Sequence, residues 1–353
     1  MEFYEIDFIE AGEKKSGDAI ALRYGGPNGQ TIHVVDGGYA SCNDGQKLID
    51  IINAHYAPVS KIDHVILTHP DTDHASGLKT VVETCNIDIL WMNRPWVYVD
   101  KLLPMFEYKY TRDGLIQRLK KDFPHVVGLE DIAIRRNIPI REAFQGAVIG
   151  SFFVLAPTQA RYLELVVSSD KTPAVVRGLL DLPQQIVRSI KGLWGEENLK
   201  GNTEGTSRQN EMSIVQYAQI AGDKILLTGD AGVETLEEAY QYAKNSGVVL
   251  PGLNLFQAPH HGGRRNLSSE ILDKWLGPKL PTKITAPAFW VAVSANGFDD
   301  DHPRKAVRRA LMHRGGGVLS TKGRKHICWP KNKPLRPGWS ALSHEDYPED
   351  TEE

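Results

Sequence analysis

Cysteine is scarce: Cys42, Cys85 and Cys328 are the only three in 353 residues, and they lie far apart. A disulfide framework and a cysteine-held zinc cluster are thereby excluded, and each thiol reads as a small buried packing residue. No stretch approaches the ~20 apolar residues a spanning helix needs. The opening Met1-Glu2-Phe3-Tyr4-Glu5 lacks the basic-then-apolar pattern of a secretion signal. A soluble, cytoplasmic protein with no membrane partner is expected. Net charge is only −3, too small a bias to name a partner by itself. No Gly-x-Ser-x-Gly or similar motif for covalent catalysis occurs. With 41% hydrophobic residues, the chain can fill one large domain or a core with inserts.

What the chain does have is concentrated in Thr68-His69-Pro70-Asp71-Thr72-Asp73-His74-Ala75-Ser76-Gly77, directly after the apolar run His64-Val65-Ile66-Leu67. His69, Asp71, Asp73 and His74 at the end of a buried strand can point several imidazole and carboxylate ligands into one cleft, and such ligands bind divalent cations. A polar turn capped by Asp73 or Ser76 is the plainer alternative. Further ligand types follow other strand-like runs: Asp36 after Thr31–Val35, Asp230 after Lys224–Gly229, and His260 and His261 after Leu253–Pro259. His302 lies past Trp290–Ser294 and a Gly/Asp-rich loop.

These segments, in this order, resemble the motifs of the metallo-β-lactamase fold superfamily: Val35-Asp36-Gly37-Gly38, His69 to His74, Thr228-Gly229-Asp230 and Pro259-His260-His261-Gly262-Gly263. Ile6-Asp7-Phe8 with Gly17-Asp18-Ala19, Gln209 to Val215, and Ser294-Ala295-Asn296-Gly297 with His302-Pro303 resemble the DNA-internalisation-related, ComEC-type hydrolase branch. The resemblance spans roughly residues 3 to 325, although 85 to 205 carry no such motif. It implies an α/β fold, a four-layer αβ/βα sandwich. It also implies two divalent metal ions, Mn²⁺ or Zn²⁺, that activate water for hydrolysis. His69 and Asp71 would hold the first ion, Asp73, His74 and His260 the second, and Asp230 would bridge them. Asp36 would orient a ligand histidine. His261 would supply a missing ligand or contact substrate, Asn210 and Ser213 would line the substrate site, and His302 would contact phosphate or donate a proton. A cap on the following helix is the plainer role for His302.

The superfamily's central motif is usually His-x-His-x-Asp-His, and Asp71 replaces its second histidine here. No strand-end histidine between His74 and Asp230 supplies the usual third ligand, since His125 in Lys121-Asp122-Phe123-Pro124-His125 reads as a surface loop. An oxygen-rich site favours harder ions, so Mn²⁺ is expected over Zn²⁺.

The pattern predicts strands over 3–10, 18–25, 31–36, 62–67, 148–155, 212–219 and 224–228, and helices over 45–55 and 78–85. A hydrolase domain over 1–330 would carry helical insertions at about 100–145 and 158–206, with 194–206 as a mobile loop. Residues 331–353, Pro-rich and then acidic, read as a flexible tail. From His302 to His326 the chain carries Arg304, Lys305, Arg308, Arg309, Arg314, Lys322, Arg324 and Lys325 with no acid. Arg304, Arg308 and Arg309 are expected to hold a phosphate-bearing substrate, unless the block is an ordinary solvated face.

The first functional reading is therefore a binuclear phosphodiesterase or nuclease acting on DNA. The sequence names no protein partner. The alternative is a hydrolase of a small ester, lactone, thioester or cyclic nucleotide. A third reading, a non-catalytic regulatory subunit, is motivated by Asp71 and the missing histidine and countered by Asp73, His74, Asp230 and His260.

Overall fold

The computed structural model describes residues 1–27, 29–169, 189–340 and 343–352. Two seven-stranded sheets dominate. The first runs in the order β15 (His326–Lys331), β1 (Phe3–Ile9), β2 (Ala19–Gly26), β3 (Gly29–Gly37), β4 (Ile62–Ile66), β5 (Ile87–Trp91), β6 (Ile140–Arg141). The second runs β14 (Gly316–Ser320), β13 (Phe289–Val293), β12 (Leu255–Gln257), β11 (Asp223–Leu227), β10 (Val215–Ile220), β8 (Phe152–Ala156), β7 (Val148–Ile149). A small ribbon pairs β9 (Ser189–Lys191) with β16 (Asp350–Glu352).

Alternation along each strand decides the layering. In β1, Tyr4, Ile6 and Phe8 face the second sheet with Ile20 and Leu22 of β2, where they meet Phe152, Val154, Ile225, Leu227 and Leu255. The outer face of the first sheet buries Val34, Val65 and Leu90 under the helices Asp44–His55, Leu78–Thr84, Arg112–Asp122 and Pro124–Arg135. The helices Val233–Asn245, Ser269–Leu276 and Lys305–His313 cover the second sheet over Leu226, Phe256, Val291 and Val318. Each buried aliphatic or aromatic side chain contributes about 1.5–3 kcal/mol. The result is the expected α/β sandwich of helix, sheet, sheet and helix.

Both sheets change from antiparallel to parallel pairing partway across. β3 to β6 and β11 to β14 are parallel, so their carboxyl ends line up at one edge. Such edges hold ligands in α/β folds. Among the described residues, no helix is long and apolar enough to cross a membrane.

Four expectations change. His125 lies in the helix Pro124–Arg135 rather than a loop. The Asn210–Met212 segment is one helical turn, and the strand begins only at Val215. Within 194–206, expected as a loose loop, Trp194 Nε1 donates to Leu280 O at 2.8 Å and Glu197 is buried against Arg314. Of the acidic tail, Glu345 N donates to Val318 O at 2.8 Å and β16 adds to β9, so this stretch caps the open edge beside β14. Of the helical insertion expected at about 158–206, residues 170–188 lie outside the described residues.

Candidate metal centre

Every candidate ligand sits where a parallel strand ends. β3 delivers Asp36, which takes a left-handed φ of 56° before turning. The chain passes so close to the metal loop there that a Cβ on Gly77 would lie 1.9 Å from Gly37 O, so no side chain fits. β4 delivers residues 68–74, β11 delivers Asp230, and β12 delivers His260 and His261, whose φ values of 49° and 55° are also left-handed. Non-glycine residues held there cost of order 1–3 kcal/mol each and cluster at functional sites.

Three layers of contacts aim these side chains. Asp36, fully buried, accepts from Thr68 N at 2.8 Å and Thr68 Oγ1 at 2.6 Å. It also accepts from His74 Nδ1 at 2.8 Å. With its proton on Nδ1, His74 presents the Nε2 lone pair to Asp230 Oδ1 at 3.3 Å and Asp73 Oδ2 at 3.8 Å. His69 Nδ1 lies 3.0 Å from Thr68 Oγ1 and 3.3 Å from Ser213 Oγ. Its Nε2 faces Asp230 Oδ2 at 3.7 Å and Asp71 Oδ2 at 3.8 Å. Asp230 is held in turn: its N donates to Ser213 Oγ at 3.1 Å and its carbonyl accepts from Asn266 Nδ2 at 2.7 Å.

Of the two adjacent histidines, His261 takes the first of its two expected roles and joins the ligand cluster, while His260 lies outside it. His261 is the buried one, with Nε2 at 3.5 Å from Asp73 Oδ2 and Nδ1 at 3.6 Å from Asp18 Oδ1. Asp73, His74, Asp230 and His261 form one cluster whose ligand atoms lie within 4.8 Å of one another. His260 stands half-exposed outside it, its Nδ1 against Asp230 Oδ2 and 3.1 Å from Asn210 Nδ2.

The residues present fit a cation. His69 Nε2, His74 Nε2, Asp230 Oδ1 and both nitrogens of His261 are buried without a hydrogen-bond partner; His74, Asp230 and His261 meet in the cluster with Asp73, and His69 Nε2 faces the other oxygen of Asp230. Buried polar atoms are rarely left so, and a bound ion is one explanation. Electrostatics agree. Burial disfavours charge on His74 and His261, but the surrounding carboxylates prevail: His74 is pushed well up by Asp230, Asp36 and Asp73, and His261 rises to about 10 beside Asp18 and Asp73. Burial would raise Asp73 and Asp230, yet His74, with His261 and His260 respectively, drives both carboxyls well below the usual carboxylate range. Positive charge is thus wanted at this spot.

His302 is near by, its ring 5.7 Å from His260 and 6.0 Å from His261. Asp299 Oδ2 lies 3.1 Å from its Nδ1 and is itself anchored by Ser16 Oγ and N at 2.6 and 3.0 Å. Burial lowers the His302 pKa, and the Asp299 contact offsets it only in part.

The basic block does not form the open face expected of it. Arg309 is fully buried and donates to the carbonyls of Glu196, Pro348 and Leu193 at 3.1, 2.9 and 2.6 Å. Arg308 pairs with Glu345 at 2.7 Å, Lys305 with Asp350 at 2.7 Å, and Arg304 with Asp301 at 3.0 Å. Two of these charges, on Arg308 and Lys305, are matched by acids of the tail. Asp18, Gln257, Thr68, Asn266 and Asp299 were missed. Only Asp18, in its Gly-Asp turn, carried any sequence signal.

Residues 16–159 match the family model described as Metallo-beta-lactamase superfamily. Among solved structures, Zn(2+)-bound PqqB from Methylobacterium extorquens aligns with 92% of this chain and 99% of its own, at 11% identity and a TM-score of 0.43. The metallo-β-lactamase SMB-1 bound to 2-mercaptoethanesulfonate aligns over 75% and 86%, at 13% identity and 0.32. The hydrolase AbOPH, in the beta lactamase superfamily, aligns over 60% of this chain at 14% identity and 0.29, and the chain spans only 56% of its length. No curated protein matches by sequence. Residues 16–159 are thus similar to the metallo-β-lactamase superfamily, and the two mixed sheets flanked by helices are consistent with its fold.

Proposed function

We propose that the chain is a metal-dependent hydrolase of phosphodiesters that holds two divalent cations at the strand ends. The observation that carries this reading is the cluster of ligand atoms from Asp73, His74, Asp230 and His261, several of them buried and unpartnered, with His69 Nε2 facing Asp230 beside it. Asp73, His74 and His261 would hold one ion, His69 and Asp71 the other, with Asp230 shared. Bound there, divalent cations supply Lewis acidity toward water and a phosphoryl oxygen.

The protein's own groups do the rest. Asp36 fixes the tautomer of His74, and Thr68 and Ser213 fix His69. His302, kept largely neutral near pH 7, is held by Asp299 with Nε2 available to take up a proton and return it to a departing oxygen. Three carboxylates in the ligand set suit hard ions and their phosphate oxygens, which supports a phosphodiester over a neutral lactone.

Two further cations lie close to the centre. Lys14 and Lys15 are exposed on the turn into Ser16 and Gly17, which touch Asp299 and Asp73. A long duplex needs a charged track, and Arg304, Lys305, Arg308 and Arg309 are already paired. A small phosphodiester or a strand end is the better fit than internal duplex DNA.

The test is turnover of bis(p-nitrophenyl) phosphate, linear and circular DNA, and a neutral lactone in Mn²⁺, Mg²⁺ and Zn²⁺. Metal-dependent cleavage of the small diester is expected. The double substitution Lys14→Ala/Lys15→Ala should raise KM several-fold with kcat little changed. Turnover of the lactone with no phosphodiester cleaved in any metal would overturn the substrate assignment.

A further inference from the structure

Gln257 is the last residue of β12, 1% exposed, and no charge or catalytic chemistry draws attention to it. Its amide is nevertheless used at both ends. Oε1 accepts from Thr228 N at 2.9 Å and Gly229 N at 3.3 Å, the two backbone donors just before Asp230. Nε2 donates to Asp18 Oδ2 at 2.8 Å. The other oxygen of Asp18 has no hydrogen-bond partner and lies 3.6 Å from His261 Nδ1. Asp18 N donates to Asp73 O at 3.2 Å, and Asp18 O accepts from Gly38 N at 2.7 Å, two residues past Asp36. One buried amide therefore touches the turn that delivers Asp230 and the carboxylate that faces His261.

We propose that Gln257 is a positioning residue of the metal centre, fixing the Asp230 turn through Oε1 and aiming Asp18 at His261 through Nε2. The inference rests on the metal-centre reading given above. It needs an amide specifically. A glutamate at 257 could still accept from both backbone N–H groups, but it would set a carboxylate against Asp18 and release it. Loss of a group that orients a ligand typically weakens metal affinity 10–100-fold.

Co²⁺ is the probe, because its visible bands report the ligand set directly. Titrated with Co²⁺, the full chain carrying Gln257→Glu should bind about 10–100-fold more weakly than wild type and show altered bands as His261 moves. The double variant Gln257→Glu/Asp18→Asn restores a donor–acceptor pair with its polarity reversed. It should recover the wild-type melting temperature but not the affinity or the bands, since the carboxylate facing His261 is gone. Wild-type affinity and bands in Gln257→Glu, or in the double variant should the single one not fold, would overturn this role alone. Failure of the wild type to take up Co²⁺ would overturn the metal-centre reading as well.

Discussion

Replacing Asp36 by Asn tests whether the site is built to hold cations. The change keeps size and shape and removes one acceptor oxygen. The oxygen that receives Thr68 N at 2.8 Å can remain an acceptor, and the Thr68 hydroxyl can rotate to meet the new NH₂. His74 cannot adapt so freely. Its Nδ1, 2.8 Å from Asp36 Oδ2, would face a donor, so the imidazole proton must move to Nε2. That nitrogen faces Asp230 Oδ1 at 3.3 Å, where its lone pair is wanted. A hydrogen bond to a charged group is worth roughly 1.5–3 kcal/mol. At about 1.4 kcal/mol per tenfold, Mn²⁺ or Zn²⁺ affinity should fall by roughly 10- to 100-fold. Isothermal titration reads this directly, with near-ultraviolet circular dichroism of the metal-free variant as the check on folding. A 100-fold loss should also remove up to about 2.7 kcal/mol of metal-induced stabilisation. Folded Asp36→Asn protein that binds either metal within threefold of wild type would refute the reasoning.

Two further perturbations probe the frame around the site. Glu197 is buried against Arg314 Nη1 at 2.6 Å and His313 Nδ1 at 3.2 Å. Burial alone would raise its pKa, but His313 and Arg314 hold it at about 2 against an ordinary 4.5. A depressed carboxyl stabilises above its ordinary pKa, and that contribution, at most about 3 kcal/mol, is lost as pH falls from about 4.5 to about 2. Denaturant melts across that window should show a wild-type decline that Glu197→Gln lacks; parallel curves would contradict it. Arg309→Ala should cost roughly 3 kcal/mol in urea melts, because it strands the buried carbonyls of Glu196, Pro348 and Leu193. Arg308→Ala should leave polynucleotide affinity within twofold, its charge being already matched by Glu345; a large, salt-dependent loss would restore the open basic face.

The layers were legible because local signals agree with them. β1 to β4 each follow an apolar run, Gly turns separate the first three, and alternation shows in Tyr4, Ile6 and Phe8. The metal loop was legible because four candidate ligands, two His and two Asp, within six residues have few other uses. What escaped depends on contacts between residues far apart in sequence. Arg309 looks like a solvated cation until the tail closes over it from about 40 positions later. His125 looked like a loop residue because Pro124 reads as a breaker, yet Pro is well placed at the first position of a helix. Gln257 and Asp299 each hold a partner 239 and 283 residues away, Asp18 and Ser16, and no local pattern marks those contacts.

The choice between His260 and His261 shows that limit most sharply, and it yields its own test. Adjacent residues in an ordinary turn would point apart, and either could be the ligand. Left-handed φ at both, followed by Gly262 at 83°, turns the chain so that His261 enters the cluster with Asp73 and His74 while His260 stays at the rim beside Asn210. His261 has no hydrogen-bond partner on either nitrogen, whereas His260 already has Asp230 and Asn210. His261→Ala should therefore remove one tightly held equivalent of metal and abolish turnover, since it deletes a ligand atom outright. His260→Ala frees one oxygen of Asp230 without deleting a member of the cluster, so it should retain bound metal and lose affinity by no more than about tenfold. Equilibrium dialysis of both variants against Zn²⁺ and Mn²⁺ separates the two roles. Full metal content in His261→Ala, with an equivalent missing in His260→Ala, would return the ligand position to His260.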